Sequence, residues 1–328
     1  ACLEDNAPIR LKNNKLSKAF EMLTKMYGMP DYGEFDPTPL LAPFYALFFG
    51  MCVGDAGYGL LLVLLGLYLK KKVSKSMAGL MNLLITLGVA TTFVGAVFNT
   101  FFGASITDLD LPEWMNSLII SGKWDGLAYD KTMVIALLVG MFHICFAMGV
   151  KAVCETVRYG FKNSLSAWAW LLLIGGSVTV ATLNYLGVID MEKSKMAFIG
   201  IGCVSAIGIY LLNNLRRNVF VNIGAGLWDT YNMATGILGD LLSYLRLYAL
   251  GLAGGMLGGV FNSLGMQLRD AVGDFLFGIP GWICFGLIFV AGHSLNIALS
   301  CLSGYVHSIR LTFVEYFKNS GYDGKGVE

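Results

Sequence analysis

Charge is what this chain has least of: 14% of its 328 residues are Asp, Glu, Lys or Arg, against roughly 25% in soluble globular domains. Histidine is nearly absent too, with three in the whole chain. The formal net charge is +1, and no basic stretch is interleaved with stacking aromatics, which argues against a nucleic-acid partner. P-loop, GxSxG, HExxH and GxGxxG patterns are all missing. Nucleotide hydrolysis, acyl transfer and zinc-protease chemistry therefore have no local motif to rest on, and no cofactor is expected. The cysteines (Cys2, Cys52, Cys145, Cys154, Cys203, Cys284 and Cys301) include no CxxC pair and mostly stand in apolar runs, which suits lipid- or core-facing thiols better than disulfides or metal ligands. Residues 1–35 are polar, carry Lys12, Lys15 and Lys18, and hold no apolar core of the signal-peptide type; they read as the tail of something soluble.

What the chain has instead is apolar length. It is 56% hydrophobic with a mean hydropathy of +0.64. Several runs exceed the roughly 18–20 residues needed to cross a bilayer, and none alternates as barrel strands do. The expected fold is an all-α polytopic membrane protein with about eight transmembrane helices. They fall near 38–53, 57–69, 77–102, 131–157, 165–188, 196–212, 224–266 and 279–317. The first two are separated by Gly54-Asp55-Ala56-Gly57-Tyr58-Gly59, where a charge between glycines makes a poor helix interior and a good hairpin turn. Eight spans place Lys70–Lys75, Lys151–Lys162, Arg216-Arg217 and Lys318 on one side with both termini. The acidic 103–130 stretch, Asp190, Glu192, Asp270 and Asp274 fall on the other, as the positive-inside rule requires. The last two segments are about 40 residues each, near 60 Å as continuous helices against a hydrocarbon core of about 30 Å, so they must be tilted, broken or overlong.

Those two segments also carry arginines, Arg246 and Arg310. A guanidinium at membrane depth costs at least ~2.5–3.5 kcal/mol and implies a function. At 100° per residue, His293, Asn296, Ser300, Ser303, His307 and Arg310 share a sector of roughly 100° on the last helix. Asp229, Asn232, Thr235, Asp240, Ser243 and Arg246 share one of about 140° on the helix before it. Beyond Arg246 that face turns small or apolar, through Ala249, Leu250, Ala253 and Leu257. Two polar tracks from opposite sides, each ending at an arginine, suggest two offset half-channels better than one pore. The glycines at 251, 254, 255, 258 and 259 have the spacing of close helix packing, and His143 reads as a structural histidine. A secondary transporter would predict inverted repeats, and none is visible. A purely structural scaffold leaves Arg246 unexplained.

The stretch Ser243-Tyr244-Leu245-Arg246-Leu247-Tyr248-Ala249-Leu250-Gly251-Leu252-Ala253 resembles the signature of the large membrane stator subunit of V-type and A/V-type rotary ATPases. Phe48–Gly59, Val97–Gly103 and Gly304-Tyr305-Val306-His307-Ser308-Ile309-Arg310-Leu311-Thr312-Phe313-Val314-Glu315 are similar to further segments of that family, in order. The resemblance implies a subunit with no catalysis of its own, in which Arg246, assisted by Arg310, meets the ion-binding carboxylates of a rotating ring of membrane c/K-type subunits. Asp229, Asn232, Thr235, Asp240, Ser243, His293, Asn296, Ser300, Ser303, His307 and Glu315 would line the half-channels. Ala249, Leu250, Ala253 and Leu257 would face the ring, and Gly54, Asp55, Gly57 and Gly59 would shape the hairpin. Residues 1–36 would be the last stretch of an N-terminal cytoplasmic domain reaching the peripheral stalk and the ATPase head, with 37–328 as the membrane domain. The ion would be H+ or Na+, and the membrane a prokaryotic plasma membrane with both termini cytoplasmic. Eukaryotic proton pumps of this type tend to place Glu near Ser300 and His near Gly254, which leaves the ion open here.

Overall fold

The computed structural model describes residues 11, 13–14, 17–30, 35–73, 77–108, 119–120, 122, 130–161, 164–185, 187–210, 219–272, 279–322 and 324. Most of the acidic 103–130 stretch, Lys75, Arg216-Arg217 and Asp274 lie outside the described residues, as does part of 1–36.

The described chain is almost wholly helical. In order come α1 (Glu21–Tyr27), α2 (Thr38–Val53), α3 (Ala56–Lys72) and α4 (Ala78–Val97). Two short strands follow, β1 (Thr100–Phe101) and β2 (Ala104–Ser105), paired antiparallel with Thr100 opposite Ser105. The remainder is α5 (Lys131–Tyr159), α6 (Leu165–Tyr185), α7 (Met191–Tyr210), α8 (Val219–Val272) and α9 (Ile279–Arg310), then a π-helical segment Leu311–Tyr316 and α10 (Phe317–Ser320).

Helix α2 is the hub. It is hydrophobic around most of its circumference, as a largely enclosed helix must be, with Pro39 and Pro43 exposed near its start. Tyr45, Phe49 and Val53 enter one apolar cluster with α1, α3, α4 and the C-terminal rings Tyr316, Phe317 and Tyr322. Phe48, Met51 and Cys52 enter a second with α5, Tyr244 and Leu247 of α8, and Leu311. Around this hub, α3 pairs with α4, α6 with α7, and α8 with α9, while α5 bridges α6 and α8.

The turn between α2 and α3 is built on one carboxylate. Gly54 ends α2 in a left-handed conformation (φ 61°), its N–H returning to the Gly50 carbonyl. Asp55, 1% exposed, then caps α3 by accepting from the Gly57 and Tyr58 N–H groups at 2.8 and 3.2 Å. The same carboxylate accepts from Phe102 N at 2.9 Å and Gly103 N at 2.8 Å, and so ties the hairpin to the turn between β1 and β2. Thr100 Oγ1 adds a bond to the Gly54 carbonyl. Gly103 (φ 71°) lies against Gly258 of α8, where a Cβ would come within 2.4 Å of its backbone.

Sequence and structure agree on a helix in each of the eight apolar segments, but not on their reach. The third was expected to run to 102; α4 stops at Val97, because Asn99 (φ 64°) and Phe102 (φ 48°) take left-handed conformations that no helix holds. Of the eight expected membrane-crossing helices, five among the described residues are long and apolar enough by themselves, covering Ala78–Val97, Lys131–Tyr159, Leu165–Tyr185, Val221–Val272 and Ile279–Ser320. Helices α2 and α3 hold 16 and 17 residues, about 24–26 Å at 1.5 Å each, short of a ~30 Å core. The first turn of α7 carries Glu192, Lys193 and Lys195, which lower its apolarity. Helix α8, at 54 residues, is longer than the expected 40-odd and spans about 80 Å.

Replacing Asp55 by Ala strands four N–H groups, two buried and two half-buried, a buried one costing about 1–3 kcal/mol when unsatisfied. After relaxation, a loss of about 3 kcal/mol or more is expected, read as a lower unfolding temperature of the detergent-purified protein. Asp55→Asn, which keeps one acceptor oxygen, should lose less.

Candidate functional site

Helices α8 and α9 lie antiparallel and close because glycine on one meets bulk on the other: Gly292 sits against the Phe261 ring, Gly265 against Phe285, and Gly254 against Ser300. The polar residues at this seam form a continuous hydrogen-bonded chain. His293 Nε2 pairs with Asn262 Oδ1 at 3.0 Å and its Nδ1 with Tyr58 Oη at 2.6 Å. Asn296 Nδ2 donates to Tyr58 Oη at 2.8 Å and to the Gly254 carbonyl at 2.9 Å, and Ser300 Oγ donates to Asn296 Oδ1 at 3.4 Å. His293, Asn296 and Ser300 are all buried. Tyr58 stands in this chain because Asp55 caps its helix three residues earlier.

Lower on α9, Ser303 and His307 are half-buried, with His307 Nδ1 bonded to the Ser303 carbonyl at 2.8 Å. Arg310 is exposed at the end of α9. The π-helical segment then begins, a geometry that inserts an extra residue per turn and recurs at functional sites. It turns Glu315 inward, 2% exposed and within electrostatic reach of Ser243, Asp240 and Arg310. Glu315 Oε2 has no hydrogen-bond partner among the described residues. Asp240, also buried, accepts from Asn319 Nδ2 at 2.8 Å and pairs with Lys318 Nζ at 3.5 Å; Asn319 also donates to the Glu315 carbonyl at 2.7 Å.

A cavity of about 480 Å³ opens beside this cluster. Asp229, Asn232 and Gly236 of α8, Lys151 and Glu155 of α5, and Lys318 line it. Thr235 instead faces outward, its hydroxyl on the Tyr231 and Asn232 carbonyls. A second cavity, about 350 Å³ and mostly apolar, lies further along α8 between its glycine face, the Phe98–Gly103 turn and Thr132. At its rim Tyr248 Oη donates to Asp130 Oδ2 at 2.7 Å.

Arg246 lies between the two. It is half-buried, and it has neither an ion pair nor a hydrogen bond among the described residues. The register that sets Asn262 beside His293 and Gly254 beside Asn296 carries Arg246 alongside the Ser303–Arg310 stretch of α9. Ala249 and Ala253 are exposed next to it, while Leu250 and Leu257 are half-buried. The structure thus gathers Asp229 and Asn232 at a cavity, Asp240, Ser243 and Glu315 in one cluster, and His293, Asn296 and Ser300 in another. Tyr58, Glu155 and Asn319 belong to these groups and were not anticipated. Tyr58 could have been suspected from its place in the Gly54–Gly59 turn; Glu155 and Asn319 sit on other helices and carried no local signal.

The long apolar helices together define a multi-pass helical membrane protein. Residues 2–124 match the model of the V-type ATPase 116kDa subunit family. The chain is 31% identical to the A-type ATP synthase subunit I of Methanocaldococcus jannaschii, over 98% of this chain and 48% of that protein. It is 30% identical to the subunit of the same name from Pyrococcus horikoshii, over 98% and 47%, and 29% identical to the V-type ATP synthase subunit I 1 of Treponema pallidum, over 99% and 52%. The chain is thus similar over nearly its whole length to these subunits, and over residues 2–124 to the V-type ATPase 116kDa subunit family. It spans about half the length of the curated relatives it matches.

The two clusters should differ sharply in access to water. In a background with exposed Cys203 replaced, Asn232→Cys should react with a soluble maleimide at least about tenfold faster than Asn296→Cys, whose position is sealed by packing.

Proposed function

We propose that this chain is the membrane domain of a rotary ATPase stator subunit, itself non-catalytic, which passes ions to and from a rotating ring of c/K-type subunits while ATP is hydrolysed or made elsewhere in the complex. The observation that carries this reading is Arg246: a half-exposed guanidinium with no partner among the described residues, flanked by exposed Ala249 and Ala253. Leaving such a charge unpaired at membrane depth is costly unless an anion arrives from outside the chain. A ring carboxylate is that anion. A fixed cation in low dielectric favours its ionised form and strips its ion; the small flanking residues let the ring pass closely.

In this reading the lysine-rich end is cytoplasmic. The Asp229–Asn232 cavity, continued by Asp240, Ser243 and Glu315, is the inner half-channel. The chain Asn262–His293–Tyr58–Asn296–Ser300 is the outer approach, with Ser303, His307 and Arg310 completing the α9 track. Each polar group in that approach is already hydrogen-bonded to its neighbours. A proton can move by exchange where a larger ion must displace partners, so H+ is the favoured cargo. Helices α2, α3 and α7 would complete eight spans, the short ones enclosed by protein or thinning the bilayer, and the long α8 and α9 would tilt. The stretch before residue 37 would lead to a cytoplasmic domain that meets the peripheral stalk and the ATPase head, in a prokaryotic plasma membrane.

ATP-driven ion uptake into vesicles holding the complete complex tests this. Arg246→Ala and Arg246→Lys should each lower uptake by about a hundredfold or more if the arginine supplies ~3 kcal/mol of selective carboxylate binding. Uptake near wild type in either variant would overturn the mechanism. Uptake that proceeds equally without Na+ supports H+; uptake that requires Na+ reverses that assignment.

A further inference from the structure

His143 of α5 is buried, and the chain of groups around Arg246 makes no use of it. Its Nδ1 lies 2.7 Å from the hydroxyl of Tyr244, two residues before Arg246 on α8. The Tyr244 ring is wholly buried in a notch opened by Gly140, one turn earlier on α5; a Cβ there would come within 2.3 Å of the ring. The imidazole also stacks on Tyr316 of the π-helical segment, with ring centroids 5.2 Å apart and planes inclined by 15°. Phe44 and Phe48 of α2 pack against it at 4.5 and 4.9 Å. One histidine therefore touches the arginine helix, the segment that presents Glu315, and the central hub.

Two residues along an α-helix turn the side chain by about 200°. With Tyr244 held inward on α5, Arg246 is turned to the opposite, open side of α8. We propose that the Gly140–His143–Tyr244 contact is a rotational lock, and that His143 is a positioning residue that sets the azimuth of Arg246, while its stack on Tyr316 sets that of Glu315. The inference rests on the role given to Arg246 above. At a side-chain radius of about 5–6 Å, a turn of α8 by about 30° moves the guanidinium by roughly 3 Å, and misplacement of about 1 Å can already cost a hundredfold in a positioned reaction. Leu247, buried in the neighbouring cluster, resists such a turn by packing alone, whereas the bond from Nδ1 to a phenol in a glycine-sized notch adds direction.

The test uses the complete complex in vesicles, with uptake measured per ATP hydrolysed, and carries a second readout independent of transport. Tyr244→Phe and His143→Leu should each lower uptake per ATP by about threefold or more in complexes that assemble normally, with the double variant no worse than the worse single because the two act as one unit. His143→Gln, whose amide can still reach the Tyr244 hydroxyl, should recover most of the loss; a merely space-filling histidine would be served as well by Leu. In the purified full-length subunit with Cys203 replaced, the ratio of maleimide labelling at Ala249→Cys to that at Leu247→Cys should fall when Tyr244→Phe is added. Wild-type uptake per ATP and an unchanged labelling ratio in Tyr244→Phe would overturn the lock, as would a His143→Gln variant as impaired as His143→Leu. A shifted labelling ratio in a complex whose Arg246→Ala variant still pumps normally would keep the lock and remove the function proposed for the arginine.

Discussion

The buried carboxylate of Asp55 is the constraint on which the rest of this structure depends. A lone ionised carboxylate in an apolar interior is untenable, and four N–H donors remove that penalty here. Two of them start α3, and two pin the Phe102–Gly103 turn. That turn in turn meets Gly258, and the helix started by Asp55 presents Tyr58 to His293 and Asn296. Through one side chain the hairpin, the β1–β2 turn and the α8–α9 seam share a single geometry. The arginine helix is held from this side by polar bonds and from the other by the Tyr244 notch.

Two kinds of polar group are thereby separated within an otherwise apolar bundle. The His293 cluster is satisfied: donors and acceptors meet inside the protein, as groups at membrane depth must. Among the described residues, Arg246 and the free oxygen of Glu315 are not. An unsatisfied charge beside satisfied ones is the physical ground on which an outside partner is proposed for Arg246.

Much of this was legible in advance. The apolar runs announced the helices, the Gly54–Gly59 segment announced the hairpin, and the cost of a guanidinium in lipid singled out Arg246 before any neighbour was known. Helix ends were less legible. Nothing in Val97–Phe102 forbids a helix residue by residue; the left-handed Asn99 and Phe102 are imposed by the bonds that draw the turn to Asp55. Periodicity placed Asp229, Asn232 and Thr235 on one stripe, yet only the first two reach the cavity, because Thr235 turns its hydroxyl back on its own helix.

The sequence by itself determined that this is a helical membrane protein, roughly where its helices lie, and which charges demand explanation, because hydropathy and helical periodicity are local properties. Tertiary structure alone decided which polar groups are sealed and which are open, that Tyr58 completes the His293 chain, and that His143 reaches Tyr244 across 101 residues of sequence. Those facts depend on which helices touch, and contact between distant segments is a property of packing that no local pattern encodes.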